Sequence, residues 1–130
     1  MSSHWFARSA AFVGNRPYAD VRLVGSPGYQ NTVTHKCLVD TGADYLQLPA
    51  LAATAAGLDL SRATPRAVGT AGGMVMSLLF LKKVAVMVEG RRIEIAVLFD
   101  PTNTALPLAG RNAVLTPFNI GFDDQAWHWT

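Results

Sequence analysis

Val84, Val86 and Val88 alternate with Ala85 and Met87 up to Glu89-Gly90-Arg91, and beyond that turn Ile93, Ile95 and Val97 alternate again. Side chains two apart on a strand share a face, so these six apolar groups form one sticky surface of a hairpin that must be covered by other parts of the chain. The same period of two recurs earlier. Tyr18, Asp20, Arg22 and Val24 alternate with Ala19, Val21 and Leu23, stop at Gly25-Ser26-Pro27-Gly28, and residues 32–39 resume as the second strand of a hairpin. Val68 leads into Gly69-Thr70-Ala71-Gly72-Gly73, and residues 74–81 follow as its return strand, a third hairpin with a flexible glycine-rich tip. Two short helices interrupt this pattern. Pro49 followed by an Ala-rich run and Gly57 predicts the first, and residues 111–115 predict the second. A mainly β chain is the expectation, organised as one domain over residues 1–130 with no internal repeat or linker.

Composition narrows the classes further. Half of the 130 residues are apolar and 15% are charged, against about 25% charged in an average soluble protein, so disorder is excluded and apolar surface is left over for a second copy to cover. No apolar run approaches the roughly 18 residues of a membrane span, because Lys82-Lys83 divides the longest stretch. The first 14 residues, with His4, Trp5 and Arg8, do not fit a secretory signal, and a soluble, cytoplasmic protein is expected. The one cysteine, Cys37, has no partner for a disulfide and no zinc-ligand spacing; it reads as a small core residue. His4, His35 and His128 are scattered, so no metal is expected. A net charge of +2 does not call for nucleic acid, and Arg62, Arg66, Lys82, Lys83, Arg91 and Arg92 read as a solvated basic face. Trp127 and Trp129 fall on one face of the C-terminal segment and are costly to leave wet, which predicts a docked C-terminus.

Among nine acidic residues, Asp40 has the most unusual setting, at the end of the apolar strand Cys37-Leu38-Val39 and the start of Thr41-Gly42-Ala43-Asp44. Burial raises a carboxyl pKa, and a second carboxyl nearby raises one of the pair further. Two such groups then share a proton and activate a water.

Leu38-Val39-Asp40-Thr41-Gly42-Ala43-Asp44 resembles the active-site loop of the retropepsins, the single-lobe aspartic proteases of retroviral type. Three further segments agree in order and spacing: Gly69-Thr70-Ala71-Gly72-Gly73 resembles the flap, Asp100-Pro101-Thr102-Asn103 the wall loop beside the substrate, and Leu108-Ala109-Gly110-Arg111-Asn112 the segment before the C-terminal helix. Arg16-Pro17 also falls where the family has Arg-Pro, so the resemblance spans residues 16–122. It implies a retropepsin-like acid-protease lobe, a closed, barrel-like sheet with a flap hairpin and one or two short helices, working as a two-fold dimer. The helix around residues 49–57 is absent from the viral enzymes but common in bacterial and eukaryotic relatives, which with the Ala- and Arg-rich composition suggests a bacterial member. The segment between Pro101 and Gly110 is a little longer than in viral members.

By this resemblance Asp40 is the catalytic carboxylate, Thr41, Gly42 and Ala43 position the active-site loop, and Asp44 with Arg111 forms an ion pair that is structural or touches substrate backbone. Gly69, Thr70, Ala71, Gly72 and Gly73 form the flap; Pro101 and Thr102 belong to the substrate wall. One lobe supplies one aspartate, so activity requires a homodimer acting on an extended peptide, with no cofactor, metal, nucleic acid or membrane. Two functions stay open: an aspartic endopeptidase, or a catalytically silent retropepsin-like module for dimerisation or peptide binding.

Overall fold

The computed structural model describes residues 6–69 and 72–130, mainly as β-structure. In chain order the elements are β1 (Arg8–Ala11), β2 (Tyr18–Leu23), β3 (Thr34–Val39), β4 (Leu46–Pro49), α1 (Ala50–Ala55), β5 (Thr64–Gly69), β6 (Val75–Val88), β7 (Arg91–Asp100), β8 (Leu108–Ala109), α2 (Arg111–Val114), β9 (Ile120–Phe122) and β10 (Ala126–Trp129). The β6–β7 hairpin turns through Glu89 (φ 47°) and Gly90 (φ 81°), two left-handed residues whose twist matches that of the flanking strands.

β6 is one strand of 14 residues, not the two separate strands that Lys82-Lys83 suggests. The lysines form a bulge: Leu81 faces Val97 and Val84 faces Ile95, so β6 carries one extra residue there. That extra residue shifts the alternation, and Leu79 and Leu81 thereby join Val84, Val86 and Val88 on the core face. Leu78 and Leu98 are buried on the opposite face. Both lysines stay exposed.

Six strands close into a ring in the order β2-β3-β8-β4-β7-β6, and β6 returns to β2 through Val21↔Val88 and Leu23↔Val86. Closure leaves no free edge within the ring and puts Ala19, Val21, Leu23, Cys37, Leu46, Leu48, Val86, Val97 and Phe99 inside, all at most 1% exposed. α1 and α2 add Ala53, Ala113 and Val114 to this core. β5 lies outside the ring as an edge strand, paired among the described residues only to the first part of β6. The β2–β3 hairpin forms with Tyr18 opposite Leu38, but β3 starts at Thr34. Thr32, expected inside that strand, instead donates its hydroxyl to the Leu23 carbonyl at 2.6 Å, which holds it in the connecting loop.

A second sheet, β1-β10-β9, joins the two ends of the described chain. Trp127 and Trp129 stack with centroids 4.1 Å apart and are buried, and the Trp127 indole N–H donates to the Tyr18 carbonyl at 2.9 Å. The C-terminus is docked, as the cost of exposing indoles requires. His128 points to the other face of β10, bonded to the Asp123 carboxylate at 2.8 Å. Backbone N–H groups of Gln125 and Ala126 and the His128 ring together hold the Asp123 pKa below its ordinary value.

Candidate active site

β8 slots between β3 and β4, parallel to the first and antiparallel to the second, so the chain must leave β3, loop outward and re-enter as β4 around it. Residues 40–45 are that loop. Asp40 is its first residue and is tied down at once: its N–H donates to the Ala109 carbonyl at 3.0 Å, just after Val39 N–H donates to the Pro17 carbonyl at 2.9 Å. The far side of the loop is held by α2, where Arg111 N–H donates to the Ala43 carbonyl at 2.8 Å and Asn112 N–H to the Asp44 carbonyl at 3.1 Å. The Asn112 side chain completes the brace, accepting from Leu46 N–H at 2.8 Å and donating to the Ala96 carbonyl at 2.7 Å.

Within the loop the Asp40 side chain is oriented by the chain itself. Gly42 N–H donates to Asp40 Oδ1 at 2.9 Å, and a Cβ on Gly42 would sit 3.1 Å from that oxygen, a tight approach that glycine relieves. Ala43 N–H donates to the Asp40 carbonyl at 3.1 Å, closing the turn. Asp40 is partly exposed, while Thr41 and Gly42 are exposed at the apex. Asp44 is paired with the Arg111 guanidinium, and both side chains are more than half exposed.

Asp40 opens onto a cleft of about 790 Å³. One side is the loop, with Gly42, Ala43, Asp44 and Tyr45; the other is the β5–β6 hairpin, with Arg66, Ala67, Val68, Gly69 and Met76; Leu78, Leu98 and Leu108 are the apolar floor. The cleft therefore combines a carboxylate, an apolar trough and the outer edge of β5, whose backbone groups face no neighbouring strand among the described residues. An extended peptide laid along such an edge gains main-chain hydrogen bonds.

The sequence-derived residues are distributed unevenly around this cleft. Asp40, Gly42, Ala43, Asp44 and Gly69 line it. Gly72 and Gly73 lie at the hairpin tip, where Gly73 has φ 80°, beside the exposed Met74 and Val75; Thr70 and Ala71 fall outside the described residues, as do residues 1–5. Pro101 and Thr102 do not line the cleft. Asp100 is buried at the end of β7, and its carboxylate gathers the N–H groups of Thr102, Thr104 and Ala105 and the Thr102 hydroxyl, at 2.7–3.0 Å. The turn thus curls back toward α1, where Asn103 Oδ1 accepts from Leu51 N–H at 2.9 Å. Burial alone would raise the Asp100 pKa, but the hydrogen bonds from Ala105, Thr102 and Thr104 outweigh it and leave the carboxyl below its ordinary value.

Tyr45 and Arg66 are cleft residues that the sequence reading did not single out as such. Arg66 is exposed, as expected of the basic face, but it also lines the cleft. Its guanidinium carbon lies 3.7 Å from the Phe80 ring centroid and 5.5 Å from that of Tyr45. A signal existed in the strand pattern: on the edge strand β5, Arg66 is placed opposite Leu78, whose side chain is buried on the cleft side of β6.

No family model matches this chain, and no curated protein sequence matches it. Among the described residues no helix is long and apolar enough to cross a membrane, and no group of three or more His, Cys, Asp or Glu side chains is arranged to hold a metal ion.

Proposed function

We propose that the chain is one half of a homodimeric aspartic endopeptidase of retropepsin type. The observation that carries this reading is the position of Asp40, at the end of a ring strand, held by Gly42 N–H, and opening onto a cleft that passes beneath the β5–β6 hairpin. The exposed Thr41-Gly42 apex supports the dimer, because two copies related by a two-fold axis through that apex bring two Asp40 carboxyls together. The β5–β6 hairpin then acts as the flap and α2 as the brace of the catalytic loop.

In such a dimer the two carboxyls share one proton and hold a water between them. The ionised carboxylate takes a proton from the water as it attacks the peptide carbonyl carbon. The protonated carboxyl donates to the carbonyl oxygen, giving a neutral tetrahedral gem-diol. On collapse the carboxyl that gained the water's proton passes it to the departing amine, one gem-diol hydroxyl returns its proton to the other carboxylate, and the C–N bond breaks to give a carboxylic acid and an amine. Gly42 N–H keeps one carboxylate oxygen fixed, and the Asp44–Arg111 pair anchors the loop to α2.

Cleavage of a mixed peptide library between about pH 4 and pH 7 by wild type and by Asp40→Asn tests this. Cleavage by wild type alone is expected. Cleavage retained by Asp40→Asn would overturn the assignment, and cleavage by neither protein would favour a silent peptide-binding module.

A further inference from the structure

Arg66 projects from β5 into the same cleft and is held there in an unusual way. Phe80 of β6 and Tyr45 of the catalytic loop meet edge to face, with centroids 5.3 Å apart and planes at 74°, and the guanidinium lies over both rings. Stacking uses the face of the guanidinium and leaves the N–H groups on its rim pointing outward. Among the described residues none of these N–H groups has a hydrogen-bond acceptor, and no carboxylate pairs with Arg66. The other charged residues lining the cleft are Asp40, assigned above to catalysis, and Asp44, already paired with Arg111. Among the described residues, Arg66 is thus the one cation lining the cleft, stacked on two rings and without a carboxylate partner.

A planar guanidinium matches a carboxylate through two parallel N–H···O bonds, stronger than bonds to a neutral amide. We propose that Arg66 is a specificity-determining residue that takes the carboxylate side chain, Asp or Glu, of an extended peptide running along β5. This rests on the peptide-cleft reading above and names its preferred substrate class: peptides with an acidic residue on one side of the scissile bond, and apolar side chains over Leu78, Leu98 and Leu108.

The test measures binding, so that it stands apart from turnover. Fluorescently labelled peptide pools carrying Glu or Gln at each position in turn are titrated against Asp40→Asn protein, alone and combined with Arg66→Gln, Arg66→Lys or Arg66→Ala. At one position Glu is expected to bind about tenfold more tightly than Gln, narrowing as salt rises from about 50 to about 500 mM. Arg66→Gln and Arg66→Ala should abolish that preference, and Arg66→Lys should keep part of it. The proposal is overturned by the absence of binding, by no Glu preference at any position, by a preference that survives Arg66→Gln, or by Arg66 variants that weaken Glu and Gln peptides equally, the mark of a stacked latch. Circular dichroism identifies any variant that fails to fold, and Arg66→Gln, which keeps the stem packed on the rings, then decides. Failure of the protease reading shows separately, as pools that bind but are not cut by protein with Asp40 intact.

Discussion

Gly110 lies so close to Tyr45 that a Cβ built on it would stand 2.4 Å from the Tyr45 carbonyl oxygen and 2.7 Å from the Tyr45 amide nitrogen. The contact is backbone against backbone, at the point where β8 hands over to α2 and the Asp40 loop hands over to β4. No rotamer change relieves it. The approach is what lets Arg111 and Asn112 reach the carbonyls of Ala43 and Asp44.

Gly110→Ala is therefore expected to destabilise the protein by about 3 kcal/mol, the upper range for forcing atoms into a packed site. Urea unfolding measures it. A cost below about 1 kcal/mol would mean that the loop shifts freely, and the rigid support argued for Asp40 would fail with it.

Most strands were legible because the apolar residues alternate and the turns are marked by glycine; the 84–97 hairpin and both short helices follow from residue types alone. The bulge at Lys82-Lys83 was not, because two adjacent lysines look like a break in any strand and only the partner register shows that β6 continues. The loop residues of the candidate site were legible as a motif, whereas the course of the turn after β7 was not. Asp100 curls its own turn through four hydrogen bonds, an arrangement set by burial of the carboxylate that spacing in the chain does not reveal. The ring contacts of the exposed Arg66 were hidden for a related reason: Tyr45 and Phe80 are brought to it from distant parts of the chain.

Asp100 also sets an acid limit on stability. Its folded pKa lies below the ordinary carboxyl value, so the folded state releases the proton more readily than the unfolded chain. The stabilisation is present above about pH 4 and is lost as pH falls through the folded value. Asp100→Asn keeps the size but not the four-fold acceptor, and should cost about 2 kcal/mol at neutral pH. The gap between wild type and variant should narrow below about pH 4 in chemical denaturation; a gap independent of pH would contradict this account.

Cys37 sets the opposite limit. Burial, with the Asp20 carboxylate adding to it, pushes the thiol up to about 12 from an ordinary 9.0. The unfolded chain loses this proton first as pH rises, so the thiol's contribution to stability is intact below about pH 9 and declines above it. Wild type should lose stability relative to Cys37→Ala between about pH 9 and pH 11. The folded protein should also resist thiol-labelling reagents at neutral pH until denaturant is added; rapid labelling of the native protein would show that the core around Cys37 opens.

Mixing wild type with Asp40→Asn at constant total protein, after exchange of subunits, tests most directly whether two chains share one catalytic centre. If each active site needs Asp40 from both chains, peptide cleavage falls as the square of the wild-type fraction, to about a quarter at an equal mixture. A linear fall, to about half, would mean that each chain cuts alone and would contradict the shared-carboxylate mechanism.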